Sequence, residues 1–432
     1  MSAGKGVKTM KRHLIGIGGV GMSALATALL KLGDEVTGAD RALGTKNIRF
    51  LESLGVRCFP DDGSGIDAAT DEVVVSTAIE ETNPGLLRAK ALGIPVVHRA
   101  KALARALGGY DLVAVVGTCG KSTVTAMLGH VLAACGLDPL CVNGANVPGW
   151  EGAVRFGRGR YAVAEVDESD KSLVAFKPYA AVVTNASADH YSKEEMDQVF
   201  DAFVKDLPGP LVEGRRPDAV LDFLEKAGCR DLEVPVPGRH NLQNARLAAA
   251  MAIRLGCDPQ AVRSALAAFK GVERRLQRIR PAGRAAGPSA GAPAVFDDYA
   301  HNPEKLQAMW TTLAAAYPSG VCVVWRPHGY APLRKMLDAL ARMFNATIRP
   351  CDRLLLLPVY DAGGTTDRSI NSDALAAKLR PGACELVADL DAAYGWIAAH
   401  ASGYACFATC GARDPDLPVL AGRLADLFEQ MV

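Results

Sequence analysis

The chain has 432 residues, 49% of them apolar and 22% charged. At about 150 residues per domain this is material for three cores, which excludes a mini-protein, a disordered chain and a fibrous one. Lysine plus arginine number 48 against 47 for aspartate plus glutamate, a formal charge of +1, so no global field favours nucleic acid and any phosphate binding must be local.

From the N-terminus, short apolar runs alternate with longer periodic ones: His13–Ile17, Met22–Leu32, Glu35–Ala39, Asn47–Leu54 and Glu72–Ser76. Strand, helix, strand, helix, strand predicts a parallel sheet with right-handed crossovers. Lys8, Lys11 and Arg12 precede the uncharged run Leu14–Leu30, which has the outline of a secretory signal, but glycines at 16, 18, 19 and 21 interrupt it. No other stretch has the roughly 18 to 20 apolar residues a bilayer span requires. The eleven cysteines form no C-x-x-C pair and no zinc-type spacing, as expected of reduced thiols in a cytoplasmic protein.

A new strand at Leu112–Val116, with a helix from Lys121 to Cys135, places a boundary near Gly108 and Gly109. Strands at Tyr161–Val166 and Ala180–Thr184 and a helix over Asn241–Leu255 belong to this second unit. Pro281 to Pro293 is almost wholly Gly, Ala and Pro and is predicted as a linker. Beyond it, strands at Ala294–Phe296, Val321–Trp325, Arg353–Pro358, Cys384–Val387 and Ala405–Thr409, each followed by helical pattern, make a third α/β unit. The expected domains are residues 1–108, 109–280 and 281–432.

Two glycine loops carry the chemistry. Gly16-Ile17-Gly18-Gly19-Val20-Gly21 lies between a strand and a helix, with Asp40 about 20 residues on, a pyrophosphate-binding pattern in which glycine lets phosphate approach the backbone N–H groups of a helix N-terminus. Gly117-Thr118-Cys119-Gly120-Lys121-Ser122 follows a buried strand and opens a helix. A complete Walker A motif needs glycine where Val115 stands, yet the backbone donors, the lysine for the β and γ phosphates and the Mg²⁺-binding hydroxyl are kept, which predicts ATP. A nicotinamide dehydrogenase explains the first loop and not the second. Glu165, opening the acidic run to Asp170, has the character of a Mg²⁺ ligand at a strand end, the alternative being a solvated loop. Thr184-Asn185 and Asp189-His190 follow the next strand, where His190 is a candidate second-metal ligand or a surface histidine.

The ordered series Gly16 to Ser23, Gly117 to Ser122, Glu165 to Asp170, Thr184 to His190, G-R-H-N-L-Q-N at 238–244, G-V-E-R-R-L-Q at 271–277, D-D-Y-A-H-N-P at 297–303, P-H-G-Y at 327–330 and Gly411 to Asp414 resembles the Mur ligases across nearly the whole chain. The resemblance implies a Rossmann-like N-terminal domain for a UDP-linked sugar acid, a central P-loop-type ATPase domain and a Rossmann-like C-terminal domain. It implies an ADP-forming ligase of peptidoglycan synthesis that activates UDP-N-acetylmuramate as an acyl phosphate and passes it to an amino acid, L-alanine foremost, as a monomer or homodimer with no nucleic acid or membrane insertion. A catalytically silent nucleotide-binding scaffold and a ligase with another acid or amine are the alternatives.

By the same resemblance, Gly16, Gly18, Gly19, Val20, Gly21, Met22, Ser23, Asp40 and Ser76 contact the UDP-sugar. Gly117, Thr118, Cys119, Gly120, Lys121, Ser122, Thr123, His240, Asn241, Asn244 and Arg275 contact ATP, and Asp297 or Asp298 holds its ribose. Ser122 and Glu165 hold one Mg²⁺, His190 a second, and His301 and His328 lie near the reacting amine and carboxylate. Three departures stand out. The usual P-H-R-Y-S-R-T is here Pro327-His328-Gly329-Tyr330-Ala331-Pro332-Leu333, without either arginine; Arg334 and Arg368 are the expected substitutes. Asn302 replaces a histidine, and the span from Phe203 to Gly238 is shorter than the family's.

Overall fold

The computed structural model describes residues 9–167, 172–186, 193–280, 292–361 and 367–431. Three sheets account for its strands. The first contains β1 (Lys11–Ile15), β2 (Glu35–Asp40), β3 (Arg57–Pro60), β4 (Glu72–Val75) and β5 (Val96–His98), all parallel, in the order β3-β2-β1-β4-β5. The strand order reverses between β1 and β4, so the crevice at their carboxyl ends is where an open α/β sheet binds its ligand. The loop of Gly16 to Gly21 leaves β1 at that point.

The second sheet contains β6 (Asp111–Val116), β7 (Leu140–Val142), β8 (Val154–Arg155), β9 (Tyr161–Glu165), β10 (Ala180–Val183) and β11 (Leu211–Glu213), ordered β11-β10-β6-β9-β7-β8 with only β8 antiparallel. Leu112 to Val116 are all buried, as a strand covered on both faces requires. Because β6 pairs with β9 on one side and β10 on the other, the phosphate loop after β6 emerges flanked by Glu165 at the end of β9 and Thr184 just past β10.

These two sheets belong to one compact unit, residues 1–235 with 240–272. Ala24 and Ala28 of the helix Val20–Lys31, and Ala100 and Leu107 at the Arg99–Ala106 helix, pack in one apolar cluster with Leu112, Ala114 and Val142 of the second sheet. Burial of this shared surface, at about 25 cal/mol per Å² of apolar area, joins the two layers.

The second unit is residues 236–239 with 273–432. Its sheet contains β12 (Gln277–Arg278), β13 (Ala294–Asp298), β14 (Val321–Trp325), β15 (Arg353–Leu356), β16 (Cys384–Leu386) and β17 (Cys406–Cys410), ordered β12-β13-β17-β14-β15-β16, with β12 antiparallel. One face is covered by a cluster around Trp310, Trp325 and Phe344, the other by Phe407, Leu424 and Phe428.

Candidate active site

The first glycine loop is braced by the chain itself. Gly16 has φ +75°, a conformation open to glycine, and the Gly18 N–H donates to Asp40 Oδ2 at 2.9 Å. A methyl carbon on Gly18 would meet that oxygen at 2.9 Å, so the close approach needs glycine. Asn47 Nδ2 donates to the Gly18 carbonyl at 2.9 Å. The following helix starts at Gly19 with no side-chain cap, which leaves the positive end of its dipole toward the crevice. Ser76 is half-buried just past the end of β4, the strand beside β1.

The second loop is shaped by residues on two other segments. Gly117 has φ +129°, and a Cβ there would overlap Thr184 Oγ1 at 2.1 Å. Gly120 has φ +83°, and a Cβ there would lie 2.5 Å from Asn244 Oδ1. The loop backbone is pinned from β10: Thr184 Oγ1 donates to the Cys119 carbonyl at 2.6 Å, Asn185 Nδ2 donates to it at 3.0 Å, and Asn185 Oδ1 accepts from the Cys119 N–H at 2.9 Å and from Thr118 Oγ1 at 2.7 Å. Lys121 folds back so that its Nζ donates to the Gly117 carbonyl at 2.7 Å. The helix Lys121–Ala134 has no side-chain cap at Gly120. Ser122 and Thr123 are buried on its first turn, and Asn241 and Asn244 are buried on the helix Arg239–Arg254, with Asn244 Nδ2 donating to Asn241 Oδ1 at 3.4 Å.

Beside this loop, Glu165 Oε2 accepts from the Gly144 N–H at 2.8 Å, and a Cβ on Gly144 would intrude to 2.4 Å from it. The carboxylate is thereby held at the end of β9 while remaining half-buried. Between the two loops stands Arg99. A Cβ on Gly21 would lie 3.1 Å from its Nη1, and its Nη2 is 3.5 Å from Asp167 Oδ2, two residues past Glu165.

In the second unit, Arg274 has φ +57° and its Nε donates to Asp297 Oδ2 at 3.0 Å; its remaining nitrogens reach the carbonyls of Gly411 and Ala412. Thr409 Oγ1 donates to Asp297 Oδ1 at 2.7 Å. Burial pushes the Asp297 carboxyl up to about 6, against the pull of Arg274. Asp298 accepts from the N–H groups of Leu276 at 2.6 Å and Ala300 at 2.7 Å. The guanidinium carbons of Arg274 and Arg275 lie 5.2 and 5.1 Å from the centre of the Tyr299 ring. The rings of His301 and His328 meet edge to face, centroids 4.9 Å apart. Burial takes both down to about 4, helped by Lys305 at His301 and by Arg413 and Lys305 at His328, so both imidazoles are neutral at pH 7.

Two family models match the chain: the Mur ligase family catalytic domain over residues 11–110, and the Mur ligase glutamate ligase domain over residues 274–413. Among characterised relatives, the UDP-N-acetylmuramate-L-alanine ligase of Methylobacterium nodulans is 34% identical over 417 residues, covering 85% of this chain and 86% of that protein. The enzyme of the same name from Neisseria gonorrhoeae is 33% identical, covering 88% and 90%. The chain belongs to the Mur ligase family. Among solved structures, UDP-N-acetylmuramate-alanine ligase of Thermotoga maritima superposes with a TM-score of 0.77 at 24% identity over 98% of this chain and all of that one. A murein peptide ligase of Psychrobacter arcticus does so with a TM-score of 0.66 at 19% identity over 98% and 99%. The fold is the three-domain α/β architecture of such ligases.

In this Mur ligase several of the expected site residues also have partners within the chain. Asp297 has no accessible surface and both its oxygens are engaged by Arg274 and Thr409, so it braces β13 against β17; Asp298, with both oxygens on backbone N–H groups, shapes the turn after β13. Asp40 likewise spends one oxygen on Gly18 and the other on the N–H of Ala42. The Met22 side chain is buried in the apolar core of the first sheet, which leaves only its backbone N–H to face the crevice. Arg368 is clamped by Asp361, at 2.6 and 3.0 Å, and Arg334 pairs with Asp367 at 2.8 Å, so each expected substitute for the arginines missing from the Pro327–Leu333 segment has a carboxylate partner. Asn302 caps the helix Pro303–Ala316 by accepting from the Lys305 N–H at 3.0 Å, a task that suits asparagine and accounts for it there.

His190 and the acidic residues from Glu168 onward lie outside the described residues, as do most of the linker and residues 362–366. Among the described residues no three His, Cys, Asp or Glu side chains cluster as a metal site. The sequence reading passed over the pinning role of Asn185 and the bridging position of Arg99. The Thr184-Asn185 pair at a strand end was the available signal for the first; His98-Arg99-Ala100 resembles a stretch of the family's first domain, but the bridging position of Arg99 depends on the packing of two sheets.

Proposed function

We propose that this enzyme joins L-alanine to the carboxylate of UDP-N-acetylmuramate, converting ATP to ADP and phosphate. The observation that carries the reading is the placement, within one compact unit, of an uncapped glycine loop on the first sheet and a lysine-bearing phosphate loop on the second, with Arg99 reaching the helix start of the first and Asp167 beside the second. The names of the relatives supply the substrates. Domain limits at 108/109 and 280/281, and a cytoplasmic setting, go with this proposal; no helix among the described residues is long and apolar enough to cross a membrane.

A carboxylate is a poor electrophile until one of its oxygens becomes a leaving group. In the proposed reaction the sugar acid's carboxylate oxygen attacks the γ-phosphorus and ADP leaves; the amine then attacks the acyl carbon, phosphate leaves and the nitrogen loses a proton. Lys121 and the first-turn N–H groups of its helix neutralise the γ-phosphoryl oxygens, where charge crowds during in-line transfer. Thr184 and Asn185 keep the loop backbone in place, so little reorganisation accompanies binding. The N–H groups of Val20 and Gly21 at the uncapped helix start, with Arg99 beside Gly21, hold the pyrophosphate of the UDP-sugar. His301 and His328, neutral at pH 7, accept hydrogen bonds from the incoming amine and later its proton.

The Ser122 hydroxyl and the Glu165 carboxylate, both hard oxygen donors beside the phosphate loop, fit Mg²⁺, which binds through one or two protein oxygens together with phosphates and water. His190 is proposed as the ligand of a second cation. Bound there, Mg²⁺ would offset phosphate charge; the residues named above position the reactants.

A second reading is favoured by one observation. With Arg334 and Arg368 both held by carboxylates and Gly329 and Pro332 at the two arginine positions, the segment presents no unpaired guanidinium among its described residues to an amino-acid carboxylate, so an amine other than L-alanine is the alternative. Phosphate release with UDP-N-acetylmuramate across a panel of amino acids separates the two.

A further inference from the structure

The helix Arg239–Arg254 has two working faces. One presents Asn241 and Asn244 toward the phosphate loop; the other presents Leu242 and Arg246 to a separate groove of about 410 Å³, closed on its far side by the helix Pro259–Ala267 and by residues 230–233. Three arginines line it: Arg230, Arg246 and Arg263. Its apolar surface comes from Leu232, Leu242 and Ala267.

The charges in the groove are unevenly matched. Arg230 is held by Glu225 at 2.8 Å, and Arg263 makes only a 3.5 Å contact to the Gly228 carbonyl. Arg246 is half-buried, and its Nε is shut off from solvent with no hydrogen-bond partner among the described residues. An unmatched buried guanidinium N–H is costly, of order 1 to 3 kcal/mol. Asp231 and Glu233 are both exposed. Their charge opposes anions in general, so an anion bound in this groove has to engage the arginines directly.

We propose that this groove is a second ligand site, for a small phosphorylated organic molecule whose phosphate sits on Arg246 and Arg263 and whose less polar body lies on Leu232, Leu242 and Ala267. Guanidinium groups match phosphate oxygens in pairs, and two cationic side chains lining one groove favour a dianion over a monoanion. The volume accommodates a ligand up to about the size of a sugar phosphate or nucleoside monophosphate. The proposal is independent of which acid and amine the enzyme joins, and its test needs no turnover.

The test is calorimetric titration of phenyl phosphate into the full-length protein with the phosphate loop already saturated by a non-hydrolysable ATP analogue. One saturable equivalent per chain is expected, with inorganic phosphate and benzoate both at least several-fold weaker. Arg246→Ala is expected to raise the dissociation constant at least tenfold, and Arg246→Lys by less, while both variants bind the ATP analogue in the absence of phenyl phosphate as the native protein does, which serves as the control for folding. Absence of a saturable equivalent, an unchanged constant in Arg246→Ala, or benzoate binding as tightly as phenyl phosphate would overturn the proposal.

Discussion

Gly120 and Asn244 are separated by more than 120 positions in sequence, yet each determines the other: a side chain at 120 would place its first carbon 2.5 Å from Asn244 Oδ1. The loop that opens the Lys121 helix is thus moulded against the helix Arg239–Arg254, and φ at 120 is +83°. Gly120→Ala therefore meets both a clash and a left-handed backbone, the latter alone costing about 1 to 2 kcal/mol. Affinity for an ATP analogue should fall at least tenfold, while UDP-sugar binding, measured by titration, stays within about twofold. Native-like ATP affinity in this variant would refute the loop geometry.

Lys121→Ala removes the charge that neutralises the γ-phosphate and touches nothing on the first sheet. Turnover should become undetectable in a phosphate-release assay, with UDP-sugar binding retained. Parallel loss of both would contradict the assignment of the two ligands to separate loops.

Arg12 and Glu72 form a buried pair at 3.4 Å in the first sheet, each nearly inaccessible, with Asp34 also on Arg12 and Arg105 on Glu72. Truncating one member of such a pair leaves the other charge buried, typically a loss of about 3 to 5 kcal/mol. Glu72→Ala should lower the urea midpoint of the unit containing the first sheet by a corresponding amount. A change under about 1 kcal/mol would show that the pair is more hydrated than its burial indicates.

The pH dependence has a definite sign. His13 is buried on β1, its Nδ1 2.9 Å from Thr37 Oγ1 and its Nε2 without a partner among the described residues, and burial lowers it to about 4, with Asp61 opposing. The unfolded chain takes up that proton near 6.5 and the folded chain only near 4, so between these values the unfolded state binds more protons and stability falls as pH falls. Replacing His13 by Leu should flatten the decline in urea midpoint between pH 6.5 and 4.5. An equally steep decline would assign the acid sensitivity to other groups.

Arg368→Ala should leave the KM for the amino acid within about twofold and stability nearly unchanged, because its guanidinium is committed to Asp361 in an exposed pair, and such pairs contribute roughly 0 to 1 kcal/mol. A tenfold rise in KM would show that the pair opens to receive a carboxylate.

Much of this was legible in the residues. The alternation of apolar runs located β1, β2, β4, β6, β9, β10 and most strands of the third sheet to within a residue or two, because parallel strands covered on both faces are near-continuous apolar segments. The short strands β3, β5, β7, β8, β11 and β12, two to four residues each, are below the length at which a period declares itself. Both glycine loops were legible because a backbone that must approach phosphate closely admits few residue types. The partners of Asp297 were not: its burial depends on Arg274, 23 positions away and brought to it by the antiparallel pairing of β12 with β13. The grip of Asn185 on Cys119 was only half legible: the pair Thr184-Asn185 marked a strand end, but its partner was set by the strand order.

The most direct test of the central claim is phosphate release from ATP by the purified protein with Mg²⁺, with and without UDP-N-acetylmuramate, across a panel of amino acids. The account predicts release only when the sugar acid, ATP and an amino acid are all present, with L-alanine the most effective. Release independent of the sugar acid, or none with any amino acid while ATP still binds, would contradict it.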